Sequence, residues 1–305
     1  MAHAVDVVCV ASWNVDLIAH IAQPLARGQT QMAQHFERLP GGKGSNAAIA
    51  AARQGAQVGL ISRIGGDDFG QMGLDLWARE GISSQFVLRA EGEANGTALI
   101  LVYADGNNSI AVFPGAGTGM SVAQVTAAKP LLSQARVVMS SCEVPLAATQ
   151  AAFEIARTHG VLTLLNPAPA MPLPDTLWPM VDVLTPNEGE LLLLADANDI
   201  DSAAQRLLQK GVGALVVTLG ERGCALFRTG EDPVHVPGHA MQVVDTIGAG
   251  DTFTGTLAAA LARQTPWPDA LRWANAAAAL STQAHGAVTA MPTQLEVRSL
   301  LQNPL

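Results

Sequence analysis

The chain has 305 residues, 49% of them apolar and only 4% aromatic, with a formal net charge of −9. That length buries a substantial core, and bulk drawn from Ala, Val, Leu and Gly favours helices packed on a parallel sheet over an aromatic-rich sandwich. With no basic run or stripe, the charge argues against nucleic acid and anionic membranes as partners; no apolar run reaches bilayer length and no signal-peptide pattern opens the chain, so a soluble, cytoplasmic protein is expected.

Residues 5–10 form an apolar run broken only by Asp6, the pattern of a strand buried on both faces. It exits into Ser12-Trp13-Asn14-Val15-Asp16. Ligands gather at the carboxyl ends of parallel strands, so Asn14 and Asp16 either bind something or stabilise a strand-end turn. From about 18 to 39 the pattern weakens and then alternates, and Gly41-Gly42-Lys43-Gly44-Ser45-Asn46 leads into a helical run over 47–53. This is a loop of close backbone approach, or of plain helix packing. It is not a Walker A loop, because Glu37 stands where the first Gly is needed and Gly44 follows the Lys. A strand over 57–64 and a helix over 69–80 come next. Short runs over 97–103 and 109–113 flank Asp105-Gly106-Asn107-Asn108, a strong hairpin signal. In a chain that otherwise alternates β and α, this hairpin together with residues 18–39 predicts a small sheet able to cover a site.

The second half alternates regularly, with strands over 136–141, 161–165, 181–184 and 214–219 and helices over 146–159, 188–194 and 202–210. Polar or glycine residues recur at the strand ends: Glu143, Asn166, Asn187 with Glu190, then Thr218, Gly220 and Gly223. No linker or repeat divides the chain, which predicts one domain over 1–305 with lid segments near 18–39 and 95–114. Cys9, Cys142 and Cys224 read as buried structural thiols. His235 and His239 have Pro237 and Gly238 between them, so no helix presents them together as metal ligands.

The stretch from Val244 to Phe253 reads as the end of a buried strand, a glycine turn, and the start of an Ala-rich helix running to about 263. Gly248 and Gly250 let the free N–H groups of the helix start converge where an anion would sit, and the helix dipole favours negative charge at that point. Asp251 stands at its edge. A carboxylate repels phosphate, so it is either a helix cap or a base that takes a proton from an incoming hydroxyl.

In this order and spacing, the Gly41–Asn46 loop, Asn187-x-x-Glu190 and Asp245-Thr246-Ile247-Gly248-Ala249-Gly250-Asp251 resemble the PfkB, or ribokinase-like, carbohydrate kinases over essentially the whole chain. The resemblance implies an α/β three-layer sandwich with a mostly parallel central sheet, a small β-sheet lid, and a homodimer joined through the lids. It implies ATP-dependent phosphorylation of the primary hydroxyl of a free sugar. D-ribose is the foremost candidate, with another furanose, a keto-sugar or a nucleoside as alternatives; few Arg or Lys in the lid segments argue against a phosphosugar. A non-catalytic sugar or nucleotide sensor is the reading of another class.

The same resemblance assigns Asp251 as general base and the amides of Gly248, Ala249, Gly250 and Asp251 as anion hole. Asn14, Asp16, Gly42, Lys43, Asn46 and Glu143 would contact the sugar, with Lys43 either acting on the phosphate or pointing to solvent and Trp13 able to narrow the pocket. Asn187, Thr218, Gly220, Gly223, Gly250 and Asn275 would bind nucleotide, although Asn187 to Glu190 also reads as an ordinary helix start and Asn275 as a solvent-facing position. Glu190 would hold Mg²⁺ through water. Asp245 and the carbonyl of Ile247, with carbonyls near Ser281, Ala284 and Gly286, would hold K⁺, while Ala290 replaces an expected hydroxyl.

Overall fold

Strand-length apolar runs separated by amphipathic stretches build a layered α/β molecule in the computed structural model, which describes residues 5–302. The first half contains β1 (Val7–Ala11), β2 (Asn14–Ile21), β3 (His35–Gly41), α1 (Lys43–Arg53), β4 (Val58–Gly65), α2 (Asp68–Arg79), β5 (Ser83–Ala90), β6 (Gly96–Tyr103) and β7 (Asn108–Phe113). There follow α3 (Val122–Ala127), α4 (Lys129–Leu132), β8 (Val137–Ser141), α5 (Leu146–Thr158), β9 (Leu162–Asn166), β10 (Val183–Leu184), α6 (Glu188–Ala195), α7 (Ile200–Gln209) and β11 (Ala214–Thr218). The chain continues through β12 (Cys224–Arg228), β13 (Val234–Val236), α8 (Ala249–Ala262), α9 (Trp267–Ser281), α10 (Ala287–Ala290) and α11 (Gln294–Gln302).

Nine strands form one sheet in the order β13-β12-β11-β10-β9-β8-β1-β4-β5. Every pairing is parallel except those of β11 with β12 and β12 with β13. All five residues of β1 and all five of β8 are buried, because helices cover both faces and the continuous apolar runs have no solvent side. On one face Val7, Cys9 and Ala11 pack with α1, α8 and α9; on the other Val8 and Val10 pack with α3, α5 and α7. The second sheet has four strands in the order β3-β2-β6-β7. Its β6–β7 hairpin turns at the expected place, where Gly106 has φ +84° and Asp105 Oδ1 accepts from the Asn107 N–H at 2.9 Å.

Several local expectations are corrected. Asn14 and Asp16 lie inside β2, the first strand of the small sheet, not on a strand-end turn. Trp13 narrows no pocket: it is 2% exposed, its ring meets Trp77 edge-on at 5.5 Å, and its Nε1–H donates to the Phe69 carbonyl. The strand expected before Val244 does not form; residues 237–247 are irregular, and Val243 and Val244 are 58% and 45% exposed. Strands β5, β12 and β13 have no counterpart in the sequence reading. β5 and β13 are the two edge strands and only half-buried, so they lack the continuous apolar signal; β12 is buried, but its apolar run is only four residues long. The three cysteines are free and buried. Among the described residues no helix is long and apolar enough to cross a membrane, and no three His, Cys, Asp or Glu side chains group as metal ligands.

Candidate active site

The start of α8 sets the site. Gly248, its N-cap, has φ +77°, and a Cβ there would lie 2.5 Å from the Ala287 Cβ, so both backbone and space demand glycine. The first helical bond runs from the Thr252 N–H to the Gly248 carbonyl at 2.8 Å. The Ala249 N–H donates to Thr246 at 3.2 Å, which leaves the amides of Gly250 and Asp251 as the ones a helix start frees for a ligand.

Helix α1 lies against α8 because Gly255 has no side chain; a Cβ there would come within 2.0 Å of the Ala47 carbonyl. That approach brings together residues 205 positions apart, with Asn46 Nδ2 donating to Asp251 Oδ2 at 2.9 Å. From the end of β9, Asn166 Nδ2 donates to the other oxygen at 3.4 Å. Asp251 is 5% exposed. Burial pushes its carboxyl up to about 6, against the pull of Lys43 and the Asn46 hydrogen bond. A carboxylate near that value is ionised at neutral pH yet basic enough to accept a proton.

On one side of the helix start lies a cavity of about 680 Å³. Asn14, Asp16, Gly42, Lys43, Asn46 and Glu143 line it with Asp251 and Gly248, so the whole expected sugar set converges there. Glu143 Oε2 accepts from Ser12 Oγ at 2.6 Å and from the Lys43 N–H at 2.7 Å, fixing the carboxylate over the first turn of α1. Burial and then Glu143 raise the Asp16 carboxyl to about 6, while Lys43 opposes them. Lys43 does not point to solvent. Burial alone would lower its pKa, but Asp251, Glu143, Glu190 and Asp16 together hold it above its ordinary value. The Asn46 Oδ1 is buried and has no hydrogen-bond partner.

On the other side lies a cavity of about 890 Å³. Asn187, Thr218, Gly220, Gly223, Gly250 and Asn275 line it, so the expected nucleotide set also converges. Asn275 is 7% exposed rather than solvent-facing, and its amide donates to the Pro237 carbonyl at 2.7 Å. Asn187 and Glu190 form a capping box, each side chain accepting at 2.8 Å from the other's backbone N–H. Glu190 lines neither cavity, but its charge acts on both Lys43 and Asp251.

Asp245, Ile247 and Gly286 line the first cavity. Asp245 ties two loops together, one oxygen accepting from the Ile247 N–H and the other from the Gly286 N–H, both at 2.9 Å. Ser281 is buried with its hydroxyl donated to Ala278, and Ala284 is exposed; neither lines a cavity. Asn166 and Ser12 are the site residues to which the sequence, though it places both at strand ends, assigns no role. Both sit just at a strand's carboxyl end, the one signal that marks them.

The two cavities share one wall. Gly248 and Asp251 face the first, Ala249 and Gly250 the second.

The chain matches the pfkB family carbohydrate kinase model over residues 4–294. It is 34% identical over 299 residues to a ribokinase of Haemophilus influenzae, covering 96% of this chain and 97% of that protein. It is also 34% identical over 297 residues to a deoxyribokinase of Salmonella typhimurium, covering 94% and 96%. The structure of Arabidopsis thaliana ribokinase complexed with ribose and ATP superposes with a TM-score of 0.92 at 31% identity, covering 98% of this chain and 99% of that one.

Proposed function

The chain belongs to the pfkB family of carbohydrate kinases, and from that premise we propose that it transfers the γ-phosphoryl group of ATP to the primary hydroxyl of D-ribose, giving D-ribose 5-phosphate. The observation that carries this reading is the shared wall: a buried carboxylate faces one cavity while the free helix-start amide of Gly250 borders the other. Asp251 takes the hydroxyl proton as the oxygen attacks the γ-phosphorus, and the bond to the bridging oxygen of ADP breaks. The amides from Gly248 to Asp251, chiefly those of Gly250 and Asp251, hold the charge that gathers on the moving phosphoryl group, an effect of several kcal/mol when preorganised. Asn46 and Asn166 orient the base. The unpartnered Asn46 Oδ1 matches a substrate hydroxyl as donor.

Asn14, Asp16 and Glu143 offer acceptors suited to vicinal hydroxyls, with Gly42 giving backbone access and Lys43 placed to neutralise phosphate. Such a site discriminates strongly against analogues that lack a hydroxyl it must pair with. The likeness to a deoxyribokinase supports 2-deoxyribose as the second sugar to try. The four-stranded sheet is read as a lid over the sugar cavity, within one kinase domain. Its outer face exposes Phe36, Leu99 and Phe113 at 60%, 54% and 54%, which supports a homodimer joined through the lids.

Among metals, Mg²⁺ would sit at the nucleotide cavity that Asn187 lines, with Glu190, which lines neither cavity, holding it through water; when bound it neutralises phosphate charge. K⁺ fits the loops that Asp245 joins, near Ile247, Ser281, Ala284 and Gly286. Ala290 brings no hydroxyl there, but the neighbouring Thr289 hydroxyl bonds the His285 carbonyl in the same turn. Replacing K⁺ by Na⁺ is expected to lower turnover, and equal rates remove the K⁺ assignment. The kinase reading itself is tested by ADP release across ribose, 2-deoxyribose, fructose and nucleosides. Ribose is expected to give the highest kcat/KM. Binding of ATP with no turnover on any sugar leaves a sensor instead.

A further inference from the structure

Asn275, Ala278 and Ala279 of α9, with Thr282 at its end, line the second cavity. At that end the Thr282 carbonyl accepts from the Val244 and Asp245 N–H groups at 2.8 and 3.1 Å, tying α9 to the loop that leads into the start of α8. Asn275 lies seven residues earlier on the same helix, about 10 Å away at the rise of an α-helix. Both residues line the cavity. A triphosphate bordering Gly250 therefore leaves its nucleobase toward the Asn275 end.

That far end is built rigidly. The loop after β11 and the loop after β13 are pressed backbone to backbone: a Cβ at Gly223 would lie 2.0 Å from the Val236 carbonyl, and one at Gly238 would lie 2.0 Å from the Glu221 carbonyl. Asn275 clamps the second loop through its bond to the Pro237 carbonyl. One of the two N–H groups of the Asn275 amide is thus committed to the protein, and the residue fixes the loop that follows β13. Two residues beyond the clamp, His239 lines the cavity, half-buried.

We propose that His239 is the residue that receives the nucleobase of ATP, its imidazole packing on the purine ring, and that Asn275 is a positioning residue that holds the loop carrying it. The proposal rests on reading the second cavity as the nucleotide site. Burial holds the imidazole below its ordinary pKa, so at neutral pH it presents an uncharged aromatic face. Planar stacking of this kind favours the larger purine over a pyrimidine.

The test uses the full-length protein with saturating ribose. His239→Ala is expected to raise KM for ATP about fivefold, the size of one ring-stacking contact, while kcat and the KM for ribose hold and the preference for ATP over CTP shrinks. His239→Phe, which keeps a ring, is expected to restore the KM. Calorimetric titration with ADP gives the same comparison without turnover. An unchanged KM for ATP and unchanged ADP affinity in His239→Ala overturn the His239 assignment alone. Failure of the wild-type chain to bind ADP overturns the nucleotide-site reading beneath it.

Discussion

Replacing Asp251 by Asn separates catalysis from stability, because the same burial that makes the carboxylate basic makes it costly to ionise. Raising its carboxyl from 3.8 to about 6 costs about 3 kcal/mol once the group is fully ionised. The sign follows from the direction: the native state binds this proton more tightly than the unfolded chain, so the contribution to stability is complete below 3.8 and is lost as the pH climbs through about 6. At pH 7.5 the wild type carries about 3 kcal/mol of this penalty and at pH 4.5 about 1. Asn at 251 never ionises. It faces two amide donors, from Asn46 and Asn166, and a flip of Asn46 turns its unpartnered Oδ1 toward the new NH₂. A residual mismatch costs about 1 kcal/mol, which is the same at both pH values. Asp251→Asn is therefore expected to stabilise the fold by about 2 kcal/mol more at pH 7.5 than at pH 4.5, relative to wild type. Turnover is expected to fall by about 10²–10⁴ or more. Urea unfolding at the two pH values measures the first, and ADP release with ribose the second. A variant with activity within tenfold of wild type, or a stability difference that ignores pH, refutes the picture of a buried general base.

Asp16 and Asp251 are both raised to about 6 and both act as anions, so log kcat/KM is expected to fall below pH 6 with a slope between 1 and 2; a flat profile from pH 7 to 5 contradicts this. A Cβ at Gly250 would meet nothing within 4 Å, so Gly250→Ala is expected to keep the melting temperature while obstructing the phosphate, cutting kcat/KM at least about tenfold. Unaltered kinetics in that variant place the phosphate elsewhere. The pair Phe36→Asp and Leu99→Asp is expected to turn a dimer into a monomer by light scattering, and a wild-type chain that is already monomeric removes the lid interface.

Much of the fold was legible because its signals are local. The buried run of β1, the hairpin at Asp105 to Asn108 and the Asn187–Glu190 helix start each depend on residues a few positions apart, whose spacing dictates strand, turn or cap. The glycines and Asp251 at the head of α8 likewise announced an anion site beside a carboxylate. Burial is not local. Val243 and Val244 look like strand residues, yet no neighbouring strand covers them; Trp13 sits beside Asn14 in sequence, yet the pleat and Trp77 draw it into the core. Only the packing of α1 on α8 at Gly255 set Asn46 against Asp251, and only β9 brought Asn166 to the other oxygen. The sequence determined which chemical groups stand at each strand end and helix start, since those depend on short-range geometry. Their convergence on one wall between two cavities was decided by close packing of elements far apart in the chain, which no spacing along the sequence encodes.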